Sequence, residues 1–215
     1  MKTILFDIDG TLVESYGFDS RLYVRAVKEV LGDVEVSTDW SSYLHVTDAG
    51  ILGQVLQQNG IAEDDTHAHE VRERLRELIE DHLAAQPCAP VRGALPAVRR
   101  LLQDPDWQVG LATGGWRDIA TAKLRSAGFV PEEFVLCSSD DHHERTEIME
   151  LCRQTVGGAH DRTVYVGDGT WDLRATRELG WGFVAIGPRL DGHHPHWIDH
   201  FEDPAWPSVL GQVLG

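Results

Sequence analysis

The stretch Met1–Leu12, MKTILFDIDGTL, decides the fold and raises a question of charge. Lys2 to Phe6 is an apolar run of strand length. It ends on two carboxylates, Asp7 and Asp9, with Gly10 and Thr11 directly behind. Alternation along a strand puts positions i and i+2 on one side, so the two aspartates can share a site. Like charges gathered away from water are costly unless a cation neutralises them.

Working outward, the block from Glu14 to Pro90 shows no strand pattern. Ser20 to Leu31 carries a helical apolar stripe, with Asp19 or Ser20 as its expected cap and Gly32 as its stop. Thr47 to Gln58 repeats that pattern. Asp65 to Ala85 is the longest, with Glu and Arg on its outer face. From Arg92 onward strands and helices alternate. Strands are expected over Gln108–Thr113, Phe134–Cys137, Thr163–Val166 and Gly182–Ile186. Helices are expected over Ala94–Leu102, Asp118–Ala127, Thr146–Val156, Asp172–Leu179 and Val209–Leu214, and Gly192–Trp197 reads as an irregular loop. Continuous apolar strands alternating with helices predict an α/β fold, a Rossmann-like parallel sheet covered on both faces. The expected division is a core of residues 1–13 and 91–215, with residues 14–90 inserted after the first strand as a helical cap. An insertion there sits at the carboxyl edge of the sheet, where open α/β folds bind ligands.

Three strand ends meet at that edge: Asp7-Ile8-Asp9-Gly10-Thr11, Ala112-Thr113-Gly114-Gly115, and Gly167-Asp168-Gly169-Thr170-Trp171-Asp172. Four carboxylates converge there, from Asp7, Asp9, Asp168 and Asp172. An all-oxygen set suits a hard cation, Mg²⁺ before Ca²⁺. A calcium loop fails on spacing, because Gly10 is fourth counted from Asp7 and position twelve is Phe18. Backbone N–H groups at Gly114-Gly115 and the Thr113 hydroxyl offer donors for phosphate oxygens, and a carboxylate can act as nucleophile through an aspartyl-phosphate.

The totals agree with a small-molecule enzyme. The 215 residues allow one large domain or one domain with a smaller unit, and 42% hydrophobic residues is ordinary for a globular chain. A formal charge of −16 disfavours nucleic acid and anionic membrane. Cys88, Cys137 and Cys152 are scattered with no C-x-x-C, which points to a reducing cytoplasm. No run approaches the ~18 apolar residues of a membrane span. His142-His143 and the Pro195-split His193, His194 and His196 read as loop residues.

DIDGT, LATGG and VGDGTWD, in that order with a helical block after the first, resemble the haloacid dehalogenase-like hydrolases. Within them the chain is most similar to small phosphatases of the phosphoglycolate phosphatase type. The resemblance implies Asp7 as nucleophile and Asp9 as general acid/base. It implies Mg²⁺ held by the Asp7 side chain, the Asp9 backbone carbonyl and Asp168, with Asp172 as ligand or supporting group. It implies phosphate binding at Thr113 and Gly114, beside Gly10 and Thr11. Many relatives carry Asn or Ser where this chain has Gly114, and a Lys where it has Ser138–Arg145. Arg145 is the first candidate for the missing cation and Lys123 the second. The implied partner is a small phosphorylated metabolite, and the implied assembly a monomer or homodimer. A sugar-phosphate mutase or another hydrolase on the same scaffold stays open. A dehalogenase, which needs no acid at position 9, fits less well.

Overall fold

Lys2–Phe6 forms strand β1, and its surroundings explain its composition. Ile4, Leu5 and Phe6 are fully buried. Ile4 and Phe6 join one hydrophobic cluster and Leu5 joins another, so successive side chains enter opposite faces of a sheet covered twice. The computed structural model describes residues 1–62 and 64–213. In it, β1 is central in a six-stranded parallel sheet with β2 (Trp107–Ala112), β3 (Val135–Cys137), β4 (Thr163–Gly167), β5 (Gly182–Ile186) and β6 (Trp197–Ile198). The order is β3-β2-β1-β4-β5-β6. The chain winds to one side through β2 and β3, then resumes on the other side of β1 at β4. That reversal makes a topological switch point beside β1.

Helices α4 (Ala94–Gln103), α5 (Arg117–Ser126) and α8 (Trp206–Val213) contribute to the cluster on one face. Helices α6 (Arg145–Thr155) and α7 (Thr170–Leu179) contribute to the other. Between β1 and α4 run α1 (Asp19–Leu31), α2 (Asp48–Gln58) and α3 (Asp65–Ala85). The chain leaves the sheet after Val13 and returns at Pro90. The two passages are tied by Glu14 N–H to the Ala89 carbonyl at 2.9 Å and Val91 N–H to the Leu12 carbonyl at 2.9 Å. Val13, Phe18, Leu22 and Leu52 are buried in the same cluster as Ile4 and Phe6, so the insertion shares its apolar contacts with the sheet.

Most element bounds match the sequence pattern within two residues, and the exceptions have physical causes. Asp19 does not cap α1; Phe18 holds the cap position with no side-chain bond, because the Asp19 carboxylate is taken by Lys123. The expected loop Gly192–Trp197 ends in strand β6. Trp197 pairs with Ala185, and its indole N–H donates to the Gly187 carbonyl at 2.7 Å. Two residues are too few for periodicity to reveal. The last helix begins at Trp206, ahead of the expected Val209, with Pro207 in the first turn where its missing N–H costs nothing. The expected final residue, Leu214, lies outside the described residues. Among these, no helix is long and apolar enough to cross a membrane.

Candidate active site

The parallel ladder delivers Asp7, Thr113 and Asp168 to one edge. Asp7 N–H continues the β1–β4 pairing with a 2.9 Å bond to the Val166 carbonyl, and Thr113 N–H donates to the Cys137 carbonyl at 3.0 Å. Behind Asp7 the chain turns sharply. The Ile8 carbonyl accepts from Leu12 N–H at 2.9 Å and Val13 N–H at 3.0 Å. Gly10 makes the turn with φ of 75°, and a Cβ there would run into the Tyr16 ring, so only glycine fits.

Asp7, Asp168 and Asp172 each bring a carboxylate oxygen to within 4.8 Å of the others, and all three are buried. Asp172 lies in the first turn of α7. One of its oxygens accepts from the Gly169 N–H at 3.0 Å, a reverse cap. The other accepts from Arg145 at 2.7 Å. Arg145, the first residue of α6, also reaches Asp7 at 3.4 Å and donates through Nη2 to the Val46 carbonyl at 3.1 Å. Asp168 accepts from Arg189 at 3.1 Å through Oδ2, while Oδ1 is fully buried with no partner among the described residues.

That orphaned oxygen tests the metal reading. A buried unpaired carboxylate oxygen costs free energy unless an ion or donor supplies the missing bond. The protonation state says the same. Burial, then Asp172, lift the Asp7 carboxyl to about 8 against the pull of Arg145. Burial, then Asp172 and Asp7, raise Asp168 well above the ordinary range against the pull of Arg189. Three buried carboxylates set against two arginines, with one oxygen still unpartnered, form a set of hard oxygen donors that fits a divalent ion such as Mg²⁺.

Asp9 is two residues away but belongs to a different network. Its Oδ1 accepts from Ser15 Oγ at 2.6 Å and from the buried Lys123 ammonium. Lys123 also donates to Asp19 at 2.8 Å. Burial alone would lower the lysine; Asp19 and Asp9 outweigh it and hold it above its ordinary range. The fourth carboxylate of the expected set is therefore engaged through Oδ1 away from the other three and does not join their cluster. Both candidate cations are at the site in separate places, Arg145 on Asp7 and Lys123 on Asp9.

A cavity of about 100 Å³ opens over these groups, with Asp7, Asp9, Thr113, Gly114, Lys123 and Arg145 among its lining. Gly10 and Thr11 are absent from that lining; Thr11 is fully buried below it. The insertion roofs the cavity. Asp48 N–H donates to the Gly114 carbonyl at 2.7 Å, and the Asp48 carboxylate accepts from Trp116 N–H at 2.9 Å. Burial, then Asp19, lift Asp48 to about 8. A Cβ at Gly114 would lie 2.6 Å from Arg145 Nη2 and 2.7 Å from the Val46 carbonyl oxygen. The glycine thus makes room for the arginine.

Ser15, Asp19, Asp48, Tyr165 and Arg189 complete the site; of these only Asp48 belongs to a stretch, Leu44–Asp48, that reads from the sequence as a candidate specificity loop. Tyr165 lies within 3.4 Å of Arg145 and donates to the Ala112 carbonyl at 2.6 Å. Arg189 stacks 4.2 Å from the Tyr16 ring centroid and 5.1 Å from that of Trp171. Its sequence setting, Pro188-Arg189-Leu190, carries no signal of this role. Asp19 looked like a helix cap.

Comparison with known proteins identifies the fold and the family. Among curated protein sequences none matches the chain. Solved structures match over nearly their whole length and show the fold. They include CbbY from Rhodobacter sphaeroides in complex with phosphate (TM-score 0.75, 19% identity, 98% of this chain and 99% of that one). A hydrolase from Pseudomonas syringae has TM-score 0.72 and 18% identity, covering 99% of this chain and 90% of that one. A β-phosphoglucomutase from Clostridium difficile has TM-score 0.74 and 13% identity, covering 99% and 97%. The family model for haloacid dehalogenase-like hydrolases matches residues 1–180. The chain belongs to the haloacid dehalogenase-like hydrolase family.

Proposed function

We propose that the chain is a Mg²⁺-dependent phosphatase that hydrolyses a small phosphate monoester through an aspartyl-phosphate on Asp7. One observation carries this reading. Asp7, Asp168 and Asp172 converge around a buried oxygen without a partner, while Asp9, two residues on, is held apart by Ser15 and Lys123. Two aspartates with separate partners suit separate tasks.

Asp7, the Asp9 carbonyl and Asp168 would hold Mg²⁺, with Asp172 steadying Arg145. Bound there, the ion supplies charge that keeps Asp7 ionised and screens it from phosphate. Asp7 forms the new bond to phosphorus while the bond to the leaving oxygen breaks. Asp9, protonated at that moment, gives its proton to the leaving alkoxide. As a carboxylate it then takes a proton from water, whose oxygen attacks phosphorus and frees Asp7 and inorganic phosphate. Arg145, the Thr113 hydroxyl and the Gly114 amide meet the charge on the phosphoryl oxygens. Residues 14–90 act as a cap over a core of 1–13 and 91–215, shielding the reaction from bulk water. The small cavity suits a compact leaving group better than a sugar phosphate turning within it.

Phosphate release from p-nitrophenyl phosphate should require Mg²⁺ and stop with EDTA. Asp7→Asn should abolish it. Turnover without metal, or an active Asp7→Asn protein, would overturn the reading.

A further inference from the structure

A second group of donor side chains lies where the insertion meets the sheet edge, outside the cavity. His45 comes from the loop before α2; His143 and Glu144 come just ahead of α6. The two loops are held together without help from the imidazoles. Thr47 Oγ1 donates to the His143 carbonyl at 2.6 Å, and Arg145 Nη2 to the Val46 carbonyl at 3.1 Å. On that frame, His45 Nε2 and His143 Nε2 stand 3.9 and 3.8 Å from the same Glu144 oxygen. One ligand atom from each residue falls within 4.8 Å of the others. The two rings meet edge-on, at 87°, rather than stacking.

His142 supports the arrangement. Its Nδ1 accepts from Glu144 N–H at 3.0 Å, and its ring stacks on His143 at 4.7 Å. Adjacent histidines in a loop were expected to point apart; that backbone bond turns them together. Neither His45 nor His143 makes a side-chain hydrogen bond among the described residues. The three side chains are 28%, 54% and 41% exposed, so an ion can reach them and they can move. The nearby arginines are committed elsewhere, Arg174 to the Leu44 carbonyl at 2.9 Å and Arg145 to Asp172.

We infer that His45, His143 and Glu144 form a second metal site, for a borderline transition ion such as Zn²⁺, which clamps the insertion onto the core. Two imidazoles and a carboxylate with an open fourth position are a zinc donor set, and a poor one for Mg²⁺. Tetrahedral bonds of about 2.0–2.1 Å bring donors to roughly 3.3–3.4 Å apart, so each histidine closes on Glu144 by about half an ångström. Val46 and Thr47, next in the chain to His45, line the cavity. Arg145, next to Glu144, holds Asp7. An ion here fixes both walls at once and opposes the opening that admits ester and releases phosphate. The site is thus inhibitory, while the oxygen site is activating.

Calorimetry on the full chain, with Mg²⁺ in excess to fill the oxygen site, should show one Zn²⁺ bound. Co²⁺ in its place should give the visible absorption of a tetrahedral ion. His45→Ala or His143→Ala should weaken Zn²⁺ by about tenfold or more, and the double variant should abolish it. Asp168→Asn should leave it intact. Zn²⁺ should slow p-nitrophenyl phosphate turnover by the unaltered chain and not by the double variant, whose turnover without zinc should be normal. No zinc bound under excess Mg²⁺, or binding that survives both histidine substitutions, overturns the site. Zinc bound with turnover undiminished overturns the clamp. The clamp's effect on turnover rests on the phosphatase reading, but the binding and absorption measurements do not. A chain that never hydrolyses the ester would sink that reading and leave the site to be decided by them.

Discussion

Lys123 lies between carboxylates from two parts of the chain, Asp9 behind β1 and Asp19 on α1, and it is 2% exposed. Removing such a charge strands its partners. Lys123→Met should therefore cost about 2–3 kcal/mol in urea unfolding, below the range for wholly buried pairs because the aspartates keep some solvent. Adding Asp19→Asn should restore part of it. Asp48 is the converse case, an acid held protonated. Its pKa is raised from 3.8 to about 8, so the stability it carries is complete below about pH 4 and is lost as pH rises through about 8. Asp48→Asn keeps an oxygen for the Trp116 N–H and removes that loss. The expected outcome in a thermal melt near pH 8 is a rise of about 2–4 °C, the shift that ~1 kcal/mol gives in a chain of this size. Lys123 was legible only as a candidate cation, and its pairing with Asp9 and Asp19 was not. Lys123 and Asp19 are ordinary members of helical patterns, and only packing of the insertion brings them together.

Strand ends are where the sequence was informative. Parallel strands must present their carboxyl ends on one edge, so Asp7, Thr113 and Asp168 could be grouped without knowing any contact. The cation was harder to locate, since a helix start gives no sign of where its first side chain reaches. The structure links two departures from relatives, Gly114 and Arg145, because a side chain at 114 would occupy the place of the guanidinium. Gly114→Ser should thus cut kcat/KM by about tenfold or more. Combined with Arg145→Lys it should lose less than the two single effects multiplied, a coupling of about 1–2 kcal/mol in a double-mutant cycle. Gly115→Ala makes a contrast. Its Cβ would sit 3.7 Å from Asp48 Oδ2, Asp9 Oδ2 and Thr113 Oγ1, ordinary contact distances. That variant should melt like the parent yet bind ester more weakly, because the methyl fills space over the reacting groups.

For the whole molecule, burial raises the pKa values of Asp7, Asp19, Asp48, Asp168 and Asp172 together, with like charge adding to it at all but Asp172. The metal-free native chain therefore holds protons that the unfolded chain releases above about pH 4. Its melting temperature should fall as pH rises from about 5 to about 8. Mg²⁺ should flatten that fall and release protons as it binds, a change a weakly buffered titration reads directly. Equal slopes with and without Mg²⁺ would show that these acids do not face the ion.

The central place of β1 also bears on how the chain assembles. The strand that carries Asp7 is made early, but its neighbours are β2 and β4, and β4 is Thr163–Gly167. A nascent chain still threading α6 from the ribosome has Asp7 with no Asp168 beside it and one edge of β1 unpaired. Non-local pairing of this kind is slow, and an apolar strand that waits for its partner is exposed to aggregation. The three carboxylates thus cannot meet until β4 and α7 have emerged, and a chaperone that shields β1 has that whole interval in which to act.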